Sequence, residues 1–366
     1  MVKKIIQSTL AIGMSISLLA GCGTSQNENT NQETQNTTNY AEIVNNLETD
    51  LLYAYQEKQD GYYDYYLGYY DGKVFINEQN NDTDMSIGYS KCLKTVDIQS
   101  EEEEIILDCS DHQYYIQYMA KESDFYYFDI FDAQNMQFKI LKYDGENIDV
   151  IDEGTQTYQL NAIKFFPTAD RIWYLRFEEG NEADICYILD GQMVTYKHII
   201  YKNDGQGYWL LTSSDDQYFY TVIDKTHVFY SDGTNDYELD FDYNVYNFRL
   251  LDGYYIVNET YTDKTNAWAY RVHLIDMETM EDVNQYDYGV ADTKEIADGV
   301  YVWSVQTNAS SGARVMTCYV ENNELIRDFI EFETNGNIYT IGQNHIIEQT
   351  EIASNNNLIH IYEIKA

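Results

Sequence analysis

HQYYIQYMAKESDFYYFDIFDAQNMQFKILKYDGENIDVID, residues 112–152, is the stretch that decides the fold. It breaks into four short runs, His112–Met119, Phe125–Phe131, Gln137–Tyr143 and Asn147–Asp152. Each run is rich in Tyr, Phe and Ile, the side chains that pack well on a pleated surface. The third and fourth are joined by Tyr143-Asp144-Gly145-Glu146. Asp-Gly suits a tight hairpin because both residues tolerate positive φ. Four antiparallel strands in about forty residues make one small meander sheet.

The same punctuation recurs along the chain. Asp-Gly stands at 60–61, 71–72, 144–145, 190–191, 204–205, 232–233, 252–253 and 298–299, using eight of the 20 glycines. The steps from Asp144 to Asp190, from Asp190 to Asp232 and from Asp252 to Asp298 all have lengths in the forties. A period of that size with several strands per unit suggests propeller blades. Units are predicted to begin near Gly61, His112, Asn161, Gly207, Leu251, Ala297 and Asn337, which makes the fold all-β with about seven four-stranded blades. The last unit shows three clear strands, so a closed ring needs a fourth from the N-terminal side, for which Tyr62–Tyr70 is the candidate. With its Tyr-Asp-Gly turns, the segment 60–366 resembles the propeller-like domains of lipid-anchored extracytoplasmic proteins of Gram-positive bacteria. The likeness is one of architecture: there is no WD dipeptide, kelch double glycine or Asp-box, and Ser213-Ser214-Asp215-Asp216 lacks the glycine and tryptophan of the last. Two β-sandwich domains divided near Tyr201–Gly207 are the competing architecture.

At the other end of the chain, Lys3 and Lys4 precede an apolar run from Leu10 to Ala20. That run is too short to span a bilayer, which takes about 20 residues. It has the form of an export signal closed by small residues. Leu19-Ala20-Gly21-Cys22 resembles the lipobox of bacterial lipoproteins. The resemblance implies that residues 1–21 are a signal peptide, that Cys22 becomes a lipidated N-terminus, and that the protein is held on the outer face of the cell membrane. Acyl chains anchor firmly because each buried CH₂ adds about 0.8 kcal/mol. Residues 22–39 are then the modified cysteine and a polar linker, too poor in apolar side chains to fold. As flexible coil, 23–39 would span roughly 20–25 Å. Residues 40–59 are predicted as a helical segment, because Ile43, Leu47, Leu51 and Tyr55 recur every four residues.

Charge excludes some partners. Lys+Arg total 22 against 62 Asp+Glu, a net charge of −40, which repels nucleic acid and anionic headgroups. No motif calls for a cofactor. Gly68-Tyr69-Tyr70-Asp71-Gly72-Lys73-Val74 is one residue short of a P-loop and reads as a hairpin. Gly205-Gln206-Gly207 lacks the third glycine of a dinucleotide fingerprint. There is no G-x-S-x-G, H-E-x-x-H or C-x-x-C. Calcium has two candidate places: Asp82–Gly88, where glycine falls one place late for an EF-hand loop, and Asp236, Glu238, Asp240 and Asp242, which alternate along one strand face. Solvated carboxylates are the simpler reading of both. Cys92 and Cys109 lie in neighbouring runs and could pair, while cysteines as small core residues need no bridge. The six histidines form no cluster in sequence.

One compact stretch interleaves cations with aromatics, Arg171-Ile172-Trp173-Tyr174-Leu175-Arg176. In a strand, Arg171 and Trp173 share one face while Tyr174 and Arg176 share the other. Its functional reading is a ligand patch in which Trp173 stacks and Arg171 and Arg176 clamp an anion; its structural reading is a strand with a buried aromatic face. Two functions follow from the whole chain. The first is a lipid-anchored binding or scaffold protein, taking a glycan, a peptide or a membrane protein complex. The second is a surface carbohydrate-active enzyme using paired carboxylates, which 62 acids would supply by chance alone.

Overall fold

A computed structural model of the chain describes residues 48–56, 62–80, 88–155, 163–178, 181–201, 211–262, 268–287, 293–297, 300–305, 313–332, 337–341, 345–353 and 356–365. The lipobox, Cys22, the polar linker, residues 40–47, Asp82–Ile87 and Gly205-Gln206-Gly207 lie outside the described residues. Every element among the described residues is a strand. The strands sort into seven antiparallel sheets.

Sheet I holds Tyr62–Tyr70, Lys73–Asn80, Ser90–Asp97 and Glu103–Asp108 in sequence order. Sheet II is the unit quoted above: Phe125–Asp132, Gln137–Tyr143 and Ile148–Thr155, with its first strand split into Tyr114–Tyr115 and Met119–Glu122. Sheet III runs from Phe165–Pro167 to Gln192–Ile200, sheet IV from Leu211–Ser214 to Asp236–Asp240, sheet V from Val245–Leu251 to Asp282–Tyr286, and sheet VI from Thr293–Ala297 to Glu324–Phe332. Sheet VII combines Asn337–Ile341, His345–Ala353 and Asn356–Lys365 with a strand from the other end of the chain, Glu48–Gln56.

The apolar cores lie between consecutive sheets. Phe75 and Leu93 of sheet I pack on Phe128 and Ile130 of sheet II. Sheets II and III meet at Tyr127, Phe138 and Tyr174. Trp173 and Ile185 meet Phe219 and Phe229 across sheets III and IV. Sheets IV and V share Tyr220, Tyr230 and Phe248, and sheets V and VI share Ile256, Leu274, Val320 and Leu325. The chain of contacts closes on itself where Ile359 and Ile361 of sheet VII pack on Tyr66, Val74 and Ile76 of sheet I. First strands of successive sheets also neighbour one another from Tyr62–Tyr70 to Val245–Leu251, and Asn337–Ile341 returns to Tyr62–Tyr70. Sheets packed face to face in cyclic order, inner strand beside inner strand, are blades around an axis. The alternative of two sandwiches does not match this cyclic order of sheets.

Three expectations differ from the structure. Residues 48–56, predicted as part of a helix, form a strand paired antiparallel with Asn356–Lys365, from Glu48 opposite Lys365 to Gln56 opposite Leu358. A spacing of four fits one face of a strand as well as a helix, since four is a multiple of two. The register slips at Leu52, which turns toward the core between sheets VII and I, while Leu51 is exposed. This strand, and not Tyr62–Tyr70, completes the last sheet; Tyr62–Tyr70 is the inner strand of sheet I. Unit boundaries near Leu251 and Ala297 also fall late. Leu251 ends the first strand of sheet V and Ala297 the first strand of sheet VI. The cause is the position of the turn: Asp144, Asp190 and Asp232 follow third strands, whereas Asp252 follows a first strand.

The described Asp-Gly pairs all lie at turns. At 71–72, 190–191 and 252–253 both residues have positive φ, 52° and 77° in the first case, the signature of a two-residue type I′ hairpin. At 144–147 and 232–235 the loop is Asp-Gly-x-Asn. There the Asp Oδ1 accepts the N–H groups two and three residues on, and the Asn side chain donates to Oδ2. Turns after first and third strands fall at the same end of a meander. Ties between neighbouring sheets, such as Ala169 N to Asp216 O at 2.7 Å and Asp190 N to Glu122 Oε1 at 2.8 Å, keep those ends together on one face.

Candidate functional site

On that face a cavity of about 270 Å³ opens between sheets I and II. Its position follows from local sequence. The Asp71-Gly72 turn brings Asp71 and Lys73 to the end of sheet I, while the turn at Ser123-Asp124 brings Lys121, Asp124 and Tyr126 to the same end of sheet II. The third turn of sheet II adds Asp144 and Gly145 to the rim. Below the rim, buried Phe75, Thr95 and Tyr143 line the interior. The half-buried Tyr126 ring stands between these layers, 4.7 Å from Phe75 and 6.1 Å from Tyr143, centroid to centroid.

Five polar side chains of the cleft, Asp71, Lys73, Lys121, Tyr126 and Asp144, are paired within the protein before any ligand arrives. Asp71 Oδ2 accepts from Lys121 Nζ at 2.6 Å and from the Tyr126 hydroxyl. These two bonds, with Lys121 first, hold the Asp71 carboxyl below the usual carboxylate range. Burial and the Asp71 carboxylate together push the Tyr126 hydroxyl above the usual phenol range. Lys73 reaches Glu104 at 3.5 Å, and Asp144 is held by its own turn. The arrangement is therefore a set of fixed donors and acceptors beside an aromatic ledge, with Asp71 ionised at neutral pH.

The stretch 171–176 is a strand, and its two faces separate as alternation requires. Trp173 is 0% exposed, stacked on Phe219 at 5.0 Å and edge-on to Tyr187 and Tyr196. Arg171 pairs with Asp170 and lies over the Tyr187 ring at 4.9 Å. Arg176 faces the other way, bonded to Asp184 at 2.6 Å and Asp152 at 3.5 Å. The three residues are not brought to one surface, and Trp173 has no accessible face to offer a ligand.

The alternating acids of sheet IV meet basic side chains of neighbouring strands. Lys197 of sheet III binds Asp236 at 3.2 Å and Glu238 at 3.1 Å, and His227 binds Asp240 at 2.7 Å. His198 and His273 likewise sit between two carboxylates each. Among the described residues no group of His, Cys, Asp and Glu is arranged to hold a metal ion. Cys92, Cys109 and Cys186 are free and buried. Burial pushes their thiols up to about 11, 12 and 11, so none of the three is a thiolate nucleophile at neutral pH.

In the sequence Asp71, Lys73 and Asp144 read only as parts of hairpin turns, and nothing there joins them to Lys121 and Tyr126. A signal was present, because the step from Lys73 to Lys121 is close to the spacing of the Asp-Gly turns. Residues one unit apart near hairpin tips face each other across adjacent blades. Scarcity adds weight: two of only 22 basic residues converge here.

Comparison with solved structures bears on the architecture. The chain is similar to the β-propeller domain of the Trilobed protease from Pyrococcus furiosus, described as having an open velcro topology. The TM-score is 0.52 at 8% identity, over 84% of this chain and 96% of that one. It is also similar to a chain in the crystal structure of a mitotic checkpoint complex, with a TM-score of 0.50 at 8% identity, over 96% of this chain and 99% of that one. The fold is a β-propeller. Identities this low speak of fold alone. No protein-family model matches the sequence, and no curated protein does.

Proposed function

We propose that the protein is a lipid-anchored, extracytoplasmic binding or scaffold protein whose recognition element is a propeller of seven blades. The seven sheets among the described residues and the closing strand Glu48–Gln56 support the blade number. The tetrad Leu19-Ala20-Gly21-Cys22 supports attachment through Cys22 and a position outside the cell membrane. The observation that carries the binding role is the cleft between sheets I and II, an open pocket with prearranged polar groups and an aromatic wall. Its chemistry favours binding over hydrolysis. A glycosidase needs one carboxyl group held protonated as general acid. Asp71 is held ionised instead, and among the described residues the carboxyl that burial pushes up to about 7, Asp129, lies outside the cleft.

The test uses the full chain and its Cys22→Ala variant in living bacteria fed labelled palmitate. The expected result is label in the wild-type polypeptide recovered with membranes, and neither label nor membrane association in the variant. Unlabelled wild-type protein would overturn the anchoring. Turnover of a glycan panel that is abolished by a single Asp or Glu change would overturn the binding role in favour of the carbohydrate-active enzyme.

A further inference from the structure

The cleft between sheets I and II has a chemistry that selects among ligands. Its rim carries Lys73 and Lys121 beside Asp71, Asp124 and Asp144. A ligand carboxylate drawn to the lysines would lie against three carboxylates, inside a protein of net charge −40. A ligand ammonium drawn to the acids would lie against two lysines. Either charge meets a repelling neighbour within the same 270 Å³. A hydroxyl group has no such conflict, since it donates to a carboxylate and accepts from an ammonium at once.

Valence remains for such groups. The ammonium of Lys121 has three protons, and its bond to Asp71 uses one. The two bonds on Asp71 both fall on Oδ2, which leaves Oδ1 as an acceptor. Tyr126 supplies a half-buried ring whose position is fixed by Phe75 and Tyr143. An aromatic ledge beside fixed carboxylate and ammonium groups matches a ring with an apolar C–H face and an equatorial rim of hydroxyls. The volume lies just below the range of about 300–1,000 Å³ usual for small-molecule sites, which limits the ligand to something of the size of a single sugar ring.

We propose that this cleft binds one neutral, hydroxyl-rich sugar unit, with Asp71 and Lys121 as its paired acceptor and donor and Tyr126 as its stacking surface. The assignment rests on the binding role proposed above and names its ligand class. Saturation-transfer NMR on the full chain tests it with pyranoses that differ in charge: methyl α-D-glucopyranoside and N-acetylglucosamine as neutral probes, glucuronate as the anion and glucosamine as the cation. The neutral sugars are expected to bind, and both charged ones to bind at least about tenfold more weakly. Asp71→Asn and Lys121→Gln should each weaken the neutral sugars by about tenfold. Asp252→Asn, in a type I′ turn of sheet V outside the cleft, should leave binding unchanged, and circular dichroism of all three variants checks that the fold is kept. Absence of binding by both neutral sugars, equal or tighter binding of a charged one, or full affinity in folded Asp71→Asn would overturn the assignment. None of these results touches palmitate labelling, so failure here is distinct from failure of the anchored scaffold.

Discussion

Trp173→Ala is expected to lower the stability of the propeller by about 3–5 kcal/mol, the usual consequence of deleting a fully buried large aromatic. Trp173 is the largest of the fully buried side chains among the described residues, and its ring stacks on Phe219 of the next blade while two tyrosines of its own sheet meet it edge-on. Alanine would leave a cavity at the joint between sheets III and IV, walled by strands that cannot collapse onto it without breaking their ladders. Domain stabilities of about 5–15 kcal/mol make this a large fraction of the total. Urea unfolding followed by fluorescence or circular dichroism gives the number. A loss under about 0.5 kcal/mol, the size usual for surface positions, would show that Trp173 is exposed enough to serve as a ligand-stacking residue.

A second large effect is expected at Asp129, with the opposite sign. The inner strand of sheet II is interrupted between Tyr115 and Met119, and side chains replace the missing ladder. The peptide joining Ile116 and Gln117 is held from both sides, its carbonyl by Asn77 Nδ2 at 2.7 Å and its N–H by Asp129 Oδ1 at 3.0 Å. Asp129 Oδ1 also accepts the Tyr118 N–H at 2.6 Å, while Oδ2 is buried without a hydrogen-bond partner among the described residues. Burial pushes the Asp129 carboxyl up to about 7, against the two backbone N–H groups that favour its charged form. A folded-state value raised from 3.8 means that the folded chain holds a proton the unfolded chain has released. The contribution of Asp129 to stability is therefore full below about pH 4, falls by roughly 1.4 kcal/mol per unit as the pH rises, and levels off above about pH 7. Asp129→Asn keeps an acceptor for the two N–H groups and removes the titration. Its advantage over the wild type should grow by about 2–3 kcal/mol between pH 5 and pH 8. Urea midpoints at the two pH values check this; a constant difference would mean that Asp129 does not titrate in this range.

Much of this architecture was legible along the chain, and the places where it was not share a physical cause. Sheet II could be read strand by strand from residues 112–152 because each strand alternates and its third turn is Asp-Gly. The alternation in 171–176 placed Trp173 and Tyr174 on opposite faces, toward sheet IV and sheet II respectively. What the alternation left open was which face had solvent, because a blade buries both sides against neighbouring blades that lie far off in sequence. The strand Glu48–Gln56 was misread for a related reason. An outermost strand has one partner, here at the opposite end of the chain, so its local pattern is under weak constraint and its four-residue spacing suited a helix equally. The cleft was invisible because no blade contains it: Asp71 comes from one sheet and Lys121 and Tyr126 from the next. Charge pairing across blades, of Lys197 with Asp236 and Glu238, was likewise outside what the alternation of one strand can show.

Ring closure by the N-terminal strand is probed most directly at Ala54 and His360, opposed in the register of Glu48–Gln56 against Asn356–Lys365. Opposed residues of antiparallel strands bring Cβ atoms to about 4.5–5.5 Å, within reach of a disulfide after modest adjustment. In the double variant Ala54→Cys/His360→Cys, mild oxidation of the native protein should give an intramolecular crosslink between these positions, seen by peptide mass spectrometry and lost when the chain is unfolded before oxidation. Native monomer in which both introduced thiols stay free, with residues 48–56 showing the amide signals of a helix, would contradict closure of the ring.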